Sequence, residues 1–373
     1  MPGNAELARF QAERFSWRLT NRSWRRLIGR LKRWARWEFW PPYAFYPPVI
    51  AYLGYLGLRH RSLTLFTAVN PGIPMSGFVG ESKHEILEHL KGAGPFLPKS
   101  RLLPRRHLEV KLQAALAFMN GHSISFPVVL KPDAGQRGSG VAVIRSLRQM
   151  RQYLERADYT VIIQEYVPGA EFGIFYVRHP GDDSGRIFSI TEKQMPVVVG
   201  DGRRTLEELI FDDERAVCMA DFYLKKNSDK RDRVVPAGER IQLVELGTHC
   251  RGAVFLDGSY AASPALEQAI DTIAHTFDGF YFGRFDIRVA SVEDFMAGKN
   301  FKVIELNGVT SEATHIYDPK LSLVDAYRTL FRQWKIAFEI GAANRASGAK
   351  NSSVWELVRA LRDYRRVSQD HLG

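Results

Sequence analysis

One stretch limits what this chain can fold into more than any other: Phe126-Pro-Val-Val-Leu-Lys-Pro-Asp-Ala-Gly-Gln-Arg-Gly-Ser-Gly-Val141. An apolar β-prone run, Val128 to Leu130, delivers Lys131. Gly135, Gly138 and Gly140 follow, and a second β-prone run extends from Val141 to Ile144. Glycines without Cβ let backbone N–H groups close on an anion, and a lysine at the strand end adds a point charge. The pattern is not a P-loop, because the lysine precedes the glycines and no Lys-Ser/Thr follows them. It is not a dinucleotide fingerprint either, since the glycine spacing differs and the next element reads as strand. The stretch therefore reads as a nucleotide-phosphate clamp, with a glycine-rich hairpin and a surface lysine as the plainer alternative.

With 373 residues, 45% apolar and 25% charged, the chain is long enough for two or more structural units with a large core. Cys218 and Cys250 lie far apart, form no metal-spaced cluster and fit a reducing compartment. The formal charge of +11 points to nucleic acid until it is located. Residues 1–61 carry twelve Lys/Arg against three Glu, and the remainder is nearly balanced. The excess belongs to an appendage.

Over residues 5–40, Phe10, Trp17, Trp24, Leu27, Leu31, Trp34 and Trp37 recur at helical spacing. Arg14, Arg18, Arg22, Arg25, Arg26, Arg33 and Arg36 crowd the flanks. Tryptophan with arginine is the composition of a helix lying at a lipid headgroup boundary. Docking to an acidic partner, packing on the body and nucleic-acid binding are the alternatives, nucleic acid the least favoured. Pro41-Pro42 stops the helix. Tyr43–Leu58 is apolar, but two prolines and its length leave it short of a membrane span, which needs about 20 residues. No cleavable leader is expected from this pattern.

Further on, Leu63–Val69 reads as a strand and Asn70–Gly77 as a turn-rich loop. Ser82 with Glu85 reads as the capping box of a helix through Leu90, on which Lys83 could face a ligand, a solvated helix lysine being the favoured reading. Strands separated by helices follow residue 126. They include Val161–Val167, Glu171–Val177 with Arg186–Thr191 returning against it, and Val197–Gly202 before a helix capped by Thr205 and Glu208. Late in the chain, Tyr281–Val289 and Phe301–Asn307 read as neighbouring strands. Arg284 and Asp286 are two apart, as are Glu305 and Asn307, so each pair projects from one strand face. Carboxylates and an amide on otherwise apolar strands need a reason to bear the desolvation. Magnesium supplies one, since it takes such oxygens together with nucleotide phosphates. Ion-paired residues at sheet ends are the alternative.

Taken in order, these stretches resemble the ATP-grasp superfamily, and more closely its carboxylate–amine ligases of the D-alanine–D-alanine ligase kind, over residues 126 to about 315. The implied fold is α+β, with two α+β subdomains gripping ATP between antiparallel sheets. A short region precedes the grasp, and an N-terminal basic amphipathic segment precedes that. The implied division is 1–60 basic segment, 61–125 pre-grasp region, 126–343 ATP-grasp domain, and 344–373 C-terminal helix and basic tail. The resemblance implies that Lys131 contacts the phosphates, with Lys99 an earlier phosphate lysine, and that Gly138, Ser139 and Gly140 cover them. Gln164, Glu165, Tyr166 and Val167 match the strand that reads adenine, and Glu171 the acid holding the ribose. Asp286, Glu305 and Asn307 match the magnesium ligands, for which manganese can substitute. Arg284 matches the arginine that steadies charge on the acyl oxygens.

Val199–Thr205 and Gly247–Gly252 resemble stretches of cyanophycin synthetase relatives, which makes Lys193 and Arg251 candidate phosphate or substrate contacts, with surface salt bridges as the equal alternative. His249 could act as a base, a loop histidine in an ordinary hydrogen bond being the favoured reading, and nothing around Cys250 marks it as a nucleophile. The implied activity is ATP-dependent joining of a small carboxylate to an amine, releasing ADP and phosphate. The implied location is cytoplasmic, peripheral on the inner membrane face through residues 1–60, and self-association is left open. A phosphotransferase and a non-catalytic membrane-associated ATP-binding module are the alternatives. The family normally carries a fuller domain before the lysine strand, where only about 65 residues stand here. Acceptor specificity therefore does not transfer by analogy.

Overall fold

The computed structural model describes residues 24–134, 140–244 and 252–370. Gly135, Gly138, Ser139, His249, Cys250, Arg251 and residues 1–23, all discussed above, lie outside the described residues. The chain forms two compact units, one of residues 1–47 and 194–254, the other of 48–193 and 255–373.

The larger unit is α+β, as read from the sequence. Its strands are β1 (Ser100–Leu103), β2 (Val128–Pro132), β3 (Ala142–Ile144), β4 (Val161–Glu165), β5 (Ala170–Val177) and β6 (Arg186–Gln194). In the smaller unit β7 (Val197–Val199) pairs with β8 (Arg240–Gln242). Then come β9 (Val254–Asp257), β10 (Phe282–Val289) and β11 (Phe301–Asn307). One sheet has the order β1-β4-β2-β3, and another β11-β10-β5-β6-β9.

Strand alternation sorts each sheet into a core face and a site face. In the four-stranded sheet Val128, Leu130, Val161 and Ile163 pack under the helices Leu108–Gly121 and Leu147–Arg156, with Leu112, Phe118, Met150 and Leu154. Lys131 and Gln164 belong to the opposite face. In the five-stranded sheet Phe172, Ile174, Phe285, Ile287 and Val303 pack with Leu266, Ile270 and Ile273 of the helix Pro264–His275. Glu171, Gly173, Arg284, Asp286 and Arg288 alternate with them and face the other way.

Two expectations about elements are corrected. Leu63–Val69 is not a strand, because Leu65–Ala68 forms a 3-10 helix. Its carbonyls at Ala68 and Val69 accept hydrogen bonds from Asn344 Nδ2 on the helix Leu323–Ala346, a tertiary partner no local pattern announces. The basic helix does not run to Pro41 either. It ends near residue 35, and Trp37–Phe39 is a separate turn that buries Glu38 and Phe39. The apolar helix Pro47–Arg59 packs by one face, with Tyr52 stacked on Phe331 at 4.5 Å and Leu56 in a cluster with Leu65 and Phe338. Among the described residues no helix is long and apolar enough to cross a membrane.

Candidate active site

The site is assembled around a fault in a sheet. β10 and β11 run antiparallel with Asp286 opposite Glu305, but Ile287 is opposite Val303. Ile304 is thus an extra residue, a bulge that re-aims everything after it. Strict alternation would have put Glu305 and Asn307 on the face of Phe301 and Val303, in the core. The bulge moves them to the face of Asp286 and Arg284, and it frees the Ile304 carbonyl from the ladder. Lys131 Nζ, arriving from the four-stranded sheet, donates to that carbonyl at 3.1 Å and to Gln164 Oε1 at 3.2 Å.

The charges interlock. Arg284 Nε donates to Asp286 Oδ1 at 2.8 Å, and its Nη1 donates to the Glu312 carbonyl at 3.1 Å. Gly173 lies opposite Asp286, and a Cβ there would meet the Arg284 Cδ at 3.1 Å, so the missing side chain is the room the guanidinium needs. Lys193 is buried between Glu171 Oε1 at 2.8 Å and Asp286 Oδ1 at 3.1 Å. Burial alone would lower the Lys193 pKa, but Asp286 and Glu171 outweigh it and raise it. Burial likewise pushes the Asp286 carboxyl up, and Arg284 with Lys193 brings it below the usual range.

Lys131 is the contrary case. Burial, and secondarily the charge of Lys83, push it down to about 8 despite Glu305. It is protonated below that pH and neutral above it. A phosphate beside it would restore the charge, so nucleotide binding should take up a proton above pH 8 and weaken by roughly thirtyfold between pH 7 and 9.5. Calorimetry of ADP binding in buffers of different ionisation heat checks this; affinity flat over that range would remove Lys131 from the phosphate site.

The expected residues fall into distinct places. Lys131, Gln164, Lys193, Arg284, Asp286, Glu305 and Asn307 come together, with Asn307 Nδ2 donating to Asp286 Oδ2 at 3.5 Å. Glu171 joins them but is engaged, by Lys193 and by Arg288 Nη2 at 2.7 Å. Glu165, Tyr166 and Val167 follow Gln164 at the end of β4, half-buried. The Lys99 side chain is exposed, and its backbone N–H donates to Glu165 Oε2 at 3.0 Å. Gly140 closes the glycine loop at φ +71°, its carbonyl accepting from Tyr153 Oη at 2.6 Å. A Cβ on it would come within 2.5 Å of the Pro132 ring, so this position requires glycine.

Sequence reasoning favoured a solvated Lys83 over one that faces the site. Instead of facing solvent it reaches Glu305 Oε1 at 3.2 Å. Its segment is fixed by Asp133, which accepts from Ser82 Oγ and from the His84 N–H, each at 2.9 Å. Burial pushes the Glu305 carboxyl up, but Lys83, with Lys131, holds it below the usual range. Glu81, beside them, is raised by burial and by Glu305. The local signal was a helix cap; the destination of the lysine is tertiary.

The donor set suits both expected groups. Asp286, Glu305 and Asn307 offer three oxygen-bearing side chains from adjacent strands, the hard ligands magnesium takes when phosphates complete its shell. The Gln164 Nε2 is buried without a hydrogen-bond partner among the described residues, a donor aligned with Lys131 on the face expected to hold the nucleotide. A buried unpaired amide is costly unless a ligand satisfies it.

No known protein-family profile matches the chain. It is 22% identical over 217 residues to the glutathione biosynthesis bifunctional protein GshAB of Streptococcus mutans, a match covering 51% of this chain and 28% of that protein. It is 28% identical over 103 residues to cyanophycin synthetase of Trichormus variabilis, covering 26% of this chain and 10% of that protein. The chain thus spans under a third of the length of these curated relatives. Among solved structures, D-alanine–D-alanine ligase from Bacillus anthracis aligns over 74% of this chain and 72% of that one, with 15% identity and a TM-score of 0.42. In its α+β sheets and its relatives, the chain resembles the ATP-grasp ligases.

Proposed function

We propose that the chain is an ATP-dependent ligase that joins a small-molecule carboxylate to an amine, releasing ADP and phosphate. The observation that carries this reading is the Lys131–Ile304 hydrogen bond at 3.1 Å. It ties a phosphate-type lysine on one sheet to the bulge that presents Glu305 and Asn307 on the other.

In this reading Lys131 and Lys193 hold the ATP phosphates, Gln164 meets the adenine, and Asp286, Glu305 and Asn307 hold magnesium. When bound, the metal offsets phosphate charge during transfer. The substrate carboxylate attacks the terminal phosphorus and ADP leaves, giving an acylphosphate. The amine then attacks the acyl carbon, forming the carbon–nitrogen bond and expelling phosphate as it loses a proton. Arg284, fixed by Asp286 and the Glu312 carbonyl, faces the site where charge builds on the acyl oxygens, a preorganised donor that costs no reorganisation. Positioning and electrostatics suffice, so no protein nucleophile is needed.

The test is turnover of Mg-ATP by purified protein with fractionated cell extract, following ADP, AMP and new masses. ADP, phosphate and a condensed product are expected. A product heavier by one phosphoryl group would instead support a phosphotransferase. Nucleotide binding without turnover in any fraction would support a binding module.

A further inference from the structure

The 24–35 helix of the smaller unit is mounted the opposite way from an ordinary amphipathic helix. Its buried point is Gly29, where a Cβ would meet the Val217 carbonyl oxygen at 2.4 Å, so only glycine allows the approach. Arginine, not leucine, fastens it: Arg25 pairs with Asp212, and Arg26 with Asp221 at 3.2 Å. Trp24, Leu27, Leu31 and Trp34, which share one helical stripe, are 59%, 46%, 62% and 56% exposed. Arg26, Arg30 and Arg33, at helical spacing beside that stripe, line a cavity of about 200 Å³ against the 217–222 segment. Asp221 in that segment offsets Arg26, but among the described residues neither Arg30 nor Arg33 has an acidic partner. Among the described residues, Arg33 Nε donates to the Phe39 carbonyl, at 3.5 Å.

We propose that this face is a docking surface for an anionic phospholipid bilayer, with a headgroup phosphate taken by the Arg26–Arg30–Arg33 row and the Trp24–Trp34 stripe entering the interface. Two properties select this occupant. Within the row, Arg30 and Arg33 carry guanidinium charge with no acidic partner among the described residues, and guanidinium matches phosphate bidentately. The stripe beside it pairs two tryptophans with two leucines, and indole rings settle at headgroup depth with leucine below. The reading is independent of the chemistry proposed for the larger unit.

The experiment is co-sedimentation of the full chain with vesicles of phosphatidylglycerol and phosphatidylcholine, against vesicles of phosphatidylcholine alone. Binding to the anionic vesicles only is expected, weakening as salt rises. Arg30→Glu with Arg33→Glu should weaken it by at least about thirtyfold, since the usual contribution of two basic residues near an anionic surface is lost and two like charges are added. Trp24→Ser with Trp34→Ser should weaken it by about tenfold. These side chains are exposed, and far-ultraviolet circular dichroism identifies a variant that has not folded. Absence of vesicle binding, equal binding to both compositions, or unchanged binding by both folded variants overturns the proposal. Saturable binding of inorganic phosphate that is lost with Arg30→Glu and Arg33→Glu, without vesicle binding, also overturns it and assigns the cavity to a soluble phosphate.

Discussion

Glu305→Gln is expected to lower turnover of Mg-ATP in the presence of substrates by about a thousandfold, the several kcal/mol that a well-held metal contributes to phosphoryl transfer. The substitution keeps the side-chain shape and one oxygen while removing the charge. It also removes the partner of Lys83, now 3.2 Å away, and leaves that ammonium beside Lys131 with less to offset it. ADP binding without metal gives the control. There the variant loses a negative charge near the phosphates, so affinity should hold or rise while turnover falls. Turnover within tenfold of the original chain would take Glu305 out of the metal site.

Lys193→Met should cost about 3–5 kcal/mol of stability, the usual result of removing one partner from a buried ion pair. Glu171 keeps Arg288 and Asp286 keeps Arg284, which argues for the lower end of that range. Urea unfolding checks it: the midpoint should drop with an unchanged slope. Adding Glu171→Gln to Lys193→Met should deepen the loss, because Arg288 then loses its carboxylate partner. The pH dependence has a definite sign. The folded Asp286 carboxyl is held below its usual range, so its contribution is complete above the unfolded carboxylate pKa and is lost as pH falls through the folded one. The gap between the two proteins should therefore be widest near neutrality and close in acid. A loss under about 1 kcal/mol at pH 7 would mean that water already screens the cluster.

Much of the site could be read in the sequence because strands advertise their faces. Lys131 ends an apolar run, and Arg284 with Asp286, like Glu305 with Asn307, keeps the spacing of two that puts both on one side. What could not be read depends on partners distant in the chain. Lys83 follows a cap and looks solvated until Asp133 and Glu305 are brought to it. Leu63–Val69 has β-prone residues but gives its carbonyls to Asn344. The N-terminal periodicity showed a stripe but not its direction. That was decided by Asp212 and Asp221, acids about 190 residues away that draw the arginines inward and turn the tryptophans out.

The extra residue at Ile304 makes β11 a strand written in two reading frames. Phe301 and Val303 obey one parity and anchor the strand in the core; Leu306 obeys the other and does the same for the second half. The polar residues between them inherit the site side only because the frame changes. Pairing Ile304 into a regular ladder would bury Glu305 and Asn307 and expel Leu306, whereas deleting it would keep every residue on its face and take away the carbonyl that holds Lys131.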